Sequence, residues 1–244
     1  TADLANGCTS YYLNSNNSFE DYGRVWLTNY HRFVGFADDI FVDENGTSVD
    51  MYLYIDGTGK TTYFVLDETV NNVEKWVEQY DKTSLPKGLT LSVPVSESGG
   101  DDFSSVAIEE ISGEKLAFDT YGRMVCITAA ENEHVSTAPH IDITYKAINQ
   151  NKFYAIDKIV DGVGREYRFT YNTVGRLTAM QAYDAQSAAI KVGIAPNDVD
   201  LKITYTYEGD GTTSPTLGRL TSATYPDGET VNYSYISNHP GAPL

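Results

Sequence analysis

Apolar and polar positions alternate along most of the chain. In Met51-Tyr52-Leu53-Tyr54-Ile55 and Thr61-Thr62-Tyr63-Phe64-Val65-Leu66, aromatic and β-branched residues flank Asp56-Gly57-Thr58-Gly59-Lys60. Two such runs around a glycine-bearing turn predict a β-hairpin. Phe36 to Val42, followed by Asp43-Glu44-Asn45-Gly46, predicts another strand and turn. Leu89 to Val93 is a short strand, opened by Pro86 and Gly88 and closed by Pro94, which cannot donate to a ladder. One stretch departs from this period. Val70, Val73, Trp76, Val77 and Tyr80 fall at helical spacing, yet no cap or stop residue frames them. A short helix and a ragged hairpin both fit there. Residues 185–196, rich in Ala, Gln and Ser, read as a small insertion between two strand regions.

The second half of the chain repeats itself. Three segments align on a Gly-Arg pair followed by an apolar residue. They are Asp119-Thr120-Tyr121-Gly122-Arg123-Met124-Val125, Asn172-Thr173-Val174-Gly175-Arg176-Leu177-Thr178 and Pro215-Thr216-Leu217-Gly218-Arg219-Leu220-Thr221. An alternating aromatic strand precedes each: Leu116 to Phe118, Tyr167 to Tyr171 and Ile203 to Tyr207. A second half-unit opens on Asp-Gly. Asp161-Gly162-Val163-Gly164-Arg165 leads into Tyr167, and Tyr225-Pro226-Asp227-Gly228-Glu229 leads into Val231-Asn232-Tyr233-Ser234-Tyr235.

The unit has a physical reading. Asp-Gly supplies a turn residue that tolerates positive φ. Tyr-x-Tyr puts both rings on one strand face, so rings stack from strand to strand as a ladder. Gly-Arg then turns the chain into a returning strand. One unit cannot bury its own apolar face, so units must stack. The expectation is an all-β chain: an antiparallel curved sheet of tandem β-hairpins. Residues 1–114 form an irregular antiparallel β region, and residues 115–244 form the repeat hairpins.

These units resemble the YD repeats of the Rhs family, found also in WapA-like wall-associated proteins and teneurins. The resemblance rests on Gly122-Arg123, on Gly175-Arg176-Leu177-Thr178 and Gly218-Arg219-Leu220-Thr221, on Tyr225-Pro226-Asp227-Gly228, and on Tyr233-Ser234-Tyr235. Met124 replaces the usual Leu. Tyr183-Asp184 keeps the family dipeptide, whereas Tyr171-Asn172 and Tyr207-Glu208 depart from it. Residues 115–237 carry the likeness. Asp56 to Phe64 is similar to the divergent hairpins ahead of the repeats in Rhs-type chains of Gram-positive bacteria. The resemblance implies a hollow β shell around a C-terminal segment such as a toxin, or an extracellular adhesive body. It implies a bacterial protein that is secreted or displayed at the cell surface. So few units cannot close a shell, which points to the front of one or to a piece of a longer protein. The implied partners are the rest of a longer repeat chain or its cargo.

Composition narrows the chemistry. The net charge is −17, and the first 114 residues hold 20 of the 34 acidic side chains but 6 of the 17 basic ones. Nothing in such a chain neutralises phosphates, so no nucleic-acid partner is expected. An anionic membrane surface is disfavoured too, and no apolar run is long enough for a membrane-spanning helix, so no membrane insertion is expected. With 41% apolar residues, a packed core is expected. Cys8 and Cys126 fit one disulfide or two unrelated thiols, the second being the simpler reading. Cys126, in the apolar run Met124 to Ile127, reads as a buried core thiol.

No catalytic constellation emerges, and the chain reads as non-enzymatic. His31, His134, His140 and His239 lack the spacing of a metal or catalytic pair. Asp38-Asp39, Asp101-Asp102 and Glu109-Glu110 are adjacent, so on strands they face opposite ways and make no facing pair of the glycosidase kind. Asp56 to Gly59 has oxygen ligands of the calcium type without the calcium-loop spacing. No cofactor is expected beyond adventitious calcium. There is no Gly-x-Ser-x-Gly elbow. Tyr205, Tyr207, Tyr233 and Tyr235 are the candidate binding residues for a carbohydrate or cell-surface ligand, with ladder packing as the competing role. Trp26 and Trp76 read as core anchors.

Overall fold

The structure, a computed structural model, describes residues 30–42, 48–79, 87–95, 106–130, 138–148, 153–173, 175–183, 201–208 and 219–234. Fifteen strands run through them, with no helix among the described residues. The first eight are β1 (Phe33–Val42), β2 (Ser48–Ile55), β3 (Thr61–Val70), β4 (Val73–Gln79), β5 (Thr90–Pro94), β6 (Ala107–Glu109), β7 (Lys115–Phe118) and β8 (Met124–Thr128). The rest are β9 (His140–Ile148), β10 (Phe153–Val160), β11 (Glu166–Tyr171), β12 (Leu177–Tyr183), β13 (Leu201–Tyr207), β14 (Leu220–Thr224) and β15 (Thr230–Asn232). All lie in one antiparallel sheet whose spatial order is the chain order. The change of texture near Gly113 falls in the turn between β6 and β7, which pair with each other. The insertion expected over 185–196 lies outside the described residues.

The stretch that fitted either a helix or a hairpin is the β3–β4 hairpin. Asn71 and Asn72 take φ values of 53° and 61°. Two successive left-handed residues give the turn whose twist matches the flanking strands, and asparagine accepts that region more readily than other side chains. Val70 and Val73 pair across the turn. A two-residue turn between two strands of period two is what mimicked helical spacing. Val73 and Val77 share one face, while Trp76 lies on the other, in the core.

Core residues meet as direct cross-strand partners. Trp76 pairs with Leu91, Leu91 with Ile108, Ile108 with Leu116 and Leu116 with Ile127. The first four are buried, and Ile127 packs against them. Such rows are the main stabilising unit of a sheet. The core cluster continues from Val34 in β1 to Leu177 in β12.

The sheet curls far enough for its first strand to return to its eighth. Phe33 forms an antiparallel bridge with Arg123. The Val34 N–H donates to the Gly122 carbonyl at 2.8 Å, and the Met124 N–H donates to the Arg32 carbonyl at 3.2 Å. Arg32 also reaches the Tyr54 hydroxyl at 3.5 Å and Glu110 at 3.9 Å. β8 is therefore a branch point. Its beginning meets β1, whereas Cys126 to Thr128 pair with β9. Each of β1 to β8 contributes buried side chains to one core cluster, and β9 to β15 leave from the branch.

The Gly-Arg units share an irregularity. Register shifts between Ala117 and Phe118, between Thr170 and Tyr171, and between Thr206 and Tyr207. In each case one residue just after the motif is unpaired: Val125, Thr178 or Thr221. Such a bulge reverses which face later side chains occupy. This corrects the reading of Cys126. The bulge brings Met124 and Ile127 to the core, and Cys126 is half-buried on the other face, its sulfur 3.6 Å from the Thr128 hydroxyl. Cys126 is a free thiol, and burial pushes its pKa up. Cys8 lies outside the described residues.

Candidate functional site

Among the described residues, six turns share one backbone: 56–60, 110–114, 119–123, 161–165, 172–176 and 225–229. The first residue's N–H donates to the fifth residue's carbonyl, and the N–H of a glycine at the fourth place donates to the first residue's carbonyl, all at 2.8 to 3.0 Å. That glycine has φ between 75° and 90° in every one. This is a three-residue hairpin loop ending in a left-handed residue, a conformation that favours glycine. The Gly-Arg turns at Gly122 and Gly175 and the two Asp-Gly half-units are thus one turn. Asp161-Gly162 does not supply the left-handed residue of its turn; Gly164 does.

The first residue also shapes the turn through its side chain. Oδ1 of Asp56, Asp119, Asp161 and Asn172 accepts the fifth residue's N–H at 2.9 to 3.0 Å. In the three aspartates it also accepts the third residue's N–H. Asp56 further accepts from the Thr58 hydroxyl and from Lys87 Nζ at 3.0 Å. Burial alone would push the Asp56 carboxyl up, but the donors from Thr58, Lys87 and Lys60 outweigh it and hold its pKa at about 2. At Asp161 the slight burial is outweighed by hydrogen bonds from Arg165 and Val163, and the pKa is lowered. An acidic residue or Asn three positions before the glycine is the sequence signal for these turns, absent only from the one that starts at Tyr225.

The arginines lock strands together. Arg123 is 7% exposed, and its Nε and Nη2 contact Asp119 Oδ2 at 2.8 and 2.6 Å. Its guanidinium carbon lies 4.8, 4.6 and 4.7 Å from the ring centres of Tyr121, Tyr145 and Tyr154. Tyr121 and Tyr154 stack at 6.1 Å. Arg123 Nη1 is buried without a hydrogen-bond partner, so ring faces compensate in place of an acceptor. Arg176 is also buried and lies 5.9 Å from the Tyr207 ring. The next strand closes each unit. The Tyr145 hydroxyl donates to the Met124 carbonyl at 2.8 Å, and the Tyr207 hydroxyl to the Leu177 carbonyl at 2.7 Å. Met124 and Leu177 directly follow the two arginines. Arg219 is more exposed and faces Glu208 at 3.7 Å, while Leu220 is buried. Gly218 lies outside the described residues.

The candidate binding tyrosines divide. Tyr207 is engaged in the ladder, and Tyr205 packs against the core cluster. Tyr233 is half-buried beside β15, its N–H donating to the Thr221 carbonyl. Tyr235 lies outside the described residues. Tyr225, Asp227 and Gly228 build the last turn: Gly228 is left-handed, and Asp227 Oδ1 accepts the Glu229 N–H at 3.0 Å. Trp76 is a core residue and Trp26 is not described. His31 is buried, and His140 is exposed with Nε2 3.4 Å from Asp142; His134 and His239 lie outside the described residues. Among the described residues, no group of three His, Cys, Asp or Glu side chains is placed to hold a metal ion. Compared with known proteins, the chain matches no family model and no curated sequence.

Proposed function

We propose that the chain is a non-enzymatic structural segment of a secreted or cell-surface protein of the Rhs/YD-repeat kind. It serves as a length of β wall that encloses or presents a separate C-terminal segment such as a toxin. The observation that carries this reading is the repeated joint, in which a left-handed glycine, a buried arginine, a bulge and a tyrosine hydroxyl recur from Asp119 to Tyr145 and from Asn172 to Tyr207. A joint whose recurring contacts reach strands one or two places further along can be repeated along the sheet. A sheet whose spatial order is its chain order grows at one edge without disturbing what precedes it. The tyrosine rings hold strands, which favours a wall over an open aromatic recognition face.

The test is to read the natural reading frame beyond residue 244 and to subject that full-length protein to limited proteolysis. Further Gly-Arg-Leu units are expected, followed by a segment that resists protease until the protein is denatured. A frame without further units, or a following segment cleaved equally fast in native and denatured protein, overturns the reading.

A further inference from the structure

Beyond the Tyr52–Phe64 pair, β2 and β3 part company. Met51, Val49 and Ser48 of β2 pair with β1, and residues 65–70 of β3, apart from the bulged Asp67, pair with β4. Among the described residues, nothing pairs with β3 over 65–70 on the side facing β2. Residues 66 to 70 are all exposed, Leu66 at 49% and Val70 at 40%. An unpaired edge of this length, carrying apolar side chains, is a template for another strand.

The hydrogen-bonding phase of that edge follows from the turn. Val70 and Val73 flank a two-residue loop, so their backbone groups bond each other. The next pair, Thr69 and Glu74, then points its backbone groups away from the hairpin. Pro94 fits this phase: it has no N–H and stands opposite Val73. Thr69 thus presents an N–H and a carbonyl to the open side. The charge there is negative. Asp67 and Glu68 lie on the edge strand, Glu74 on its partner and Asp50 on the parting stretch of β2. The one nearby cation on these strands, Lys75, is paired with Glu68 at 3.1 Å. The −17 charge of the whole chain adds a long-range field of the same sign.

We propose that the outer half of β3 is a docking edge for an extended, lysine- or arginine-bearing peptide segment, which adds as a strand and hydrogen-bonds to Thr69. Main-chain bonds supply affinity in this mode, and the alternate side chains supply selectivity. The proposal stands apart from the wall reading, since it needs only this edge and its charge.

The probe is a fluorescein-labelled peptide of four Lys-Val repeats, with four Lys-Pro repeats as a control of equal charge that cannot add as a strand. Titration of the full chain, followed by anisotropy, is expected to show saturable binding to the Lys-Val peptide that weakens with salt. The Lys-Pro peptide binds at least tenfold more weakly. Thr69→Pro removes the outward N–H and spares the hairpin's own bonds, so it lowers affinity at least tenfold, while Thr69→Ala leaves it unchanged. Asp67→Lys weakens binding and flattens the salt dependence, and it decides the matter if circular dichroism shows that Thr69→Pro does not fold. Equal binding of the two peptides, absence of binding, or binding indifferent to both Thr69→Pro and Asp67→Lys overturns the proposal. So does a concentration-dependent dimer abolished by Thr69→Pro, which would make the occupant a second copy of the chain.

Discussion

Arg123 and Arg165 occupy the same place in the same five-residue turn and meet opposite surroundings. The Arg123 side chain is 8% exposed between three tyrosine rings, and that of Arg165 is 57% exposed. Both grip an aspartate four residues back. Replacing Arg123 by Ala removes the ring contacts and leaves Asp119 without its partner, which costs about 3 kcal/mol. The same change at Arg165 costs less than about 1 kcal/mol. Urea denaturation of the two variants checks the contrast, and equal costs would mean that the ring cage contributes nothing. Asp56 gives a pH signature. Its carboxyl titrates at about 2 in the fold against 3.8 as the ordinary value. Its contribution is therefore complete above 3.8 and disappears as pH falls through about 2. Asp56→Asn keeps an acceptor in place, as Asn172 does, and removes the charge. The stability gap between wild type and this variant is expected to be constant near neutrality and to close between pH 3.8 and about 2, read from urea midpoints across that range. A gap that persists at the acid end would sink the assignment.

At the scale of elements, the repeat is a turn coupled to a bulge. The turn needs a left-handed glycine, and the bulge resets the strand so that side chains on either side of it, such as Met124 and Ile127, both face the core. Gly228 isolates the first requirement. Its φ is 88°, and a Cβ added there would meet nothing within 4 Å. Gly228→Ala therefore costs only backbone strain, about 1–2 kcal/mol, measurable as a lowered denaturation midpoint; no change at all would contradict a left-handed residue at that place. Much of this element was legible in the sequence. The β2–β3 hairpin around Asp56 to Lys60 and the Gly-Arg turns at Gly122 and Gly175 were visible because turn residues and strand period are local signals. The bulges were not. Val125, Thr178 and Thr221 look like ordinary strand residues, and only the partner strand shows that nothing stands opposite them.

Across the whole molecule, one contact between distant parts decides the shape. Gly122 serves the β7–β8 turn and also receives β1. A Cβ at Gly122 would lie 1.9 Å from the Val34 carbonyl oxygen. No side chain fits that space, and the obstacle is backbone, which cannot swing aside. Gly122→Ala is expected to cost at least about 2 kcal/mol more than Gly228→Ala. It is also expected to speed hydrogen exchange at the Val34 and Met124 amides, which close the eight-strand ring. Amide exchange rates equal to wild type would show that the ring does not depend on this approach. Beyond the branch at β8, the later strands contact mainly their neighbours, so damage there stays local.

The sequence by itself determined the class, most of the strands and the place of the repeat turns. Each of these follows from alternation, glycine at a fixed step and aromatic strand residues, which act within one hairpin. The tertiary structure alone decided which arginine is buried, that Cys126 faces away from the core, and that β1 returns to β8. Those outcomes depend on side chains far apart in the chain. Tyr154 reaches Arg123 only after two further strands have been laid down, and Val34 reaches Gly122 only after the sheet has curled through seven. The open half of β3 belongs to the same class: it exists because β1 holds β2 while β4 holds β3, a competition that no single stretch of residues encodes.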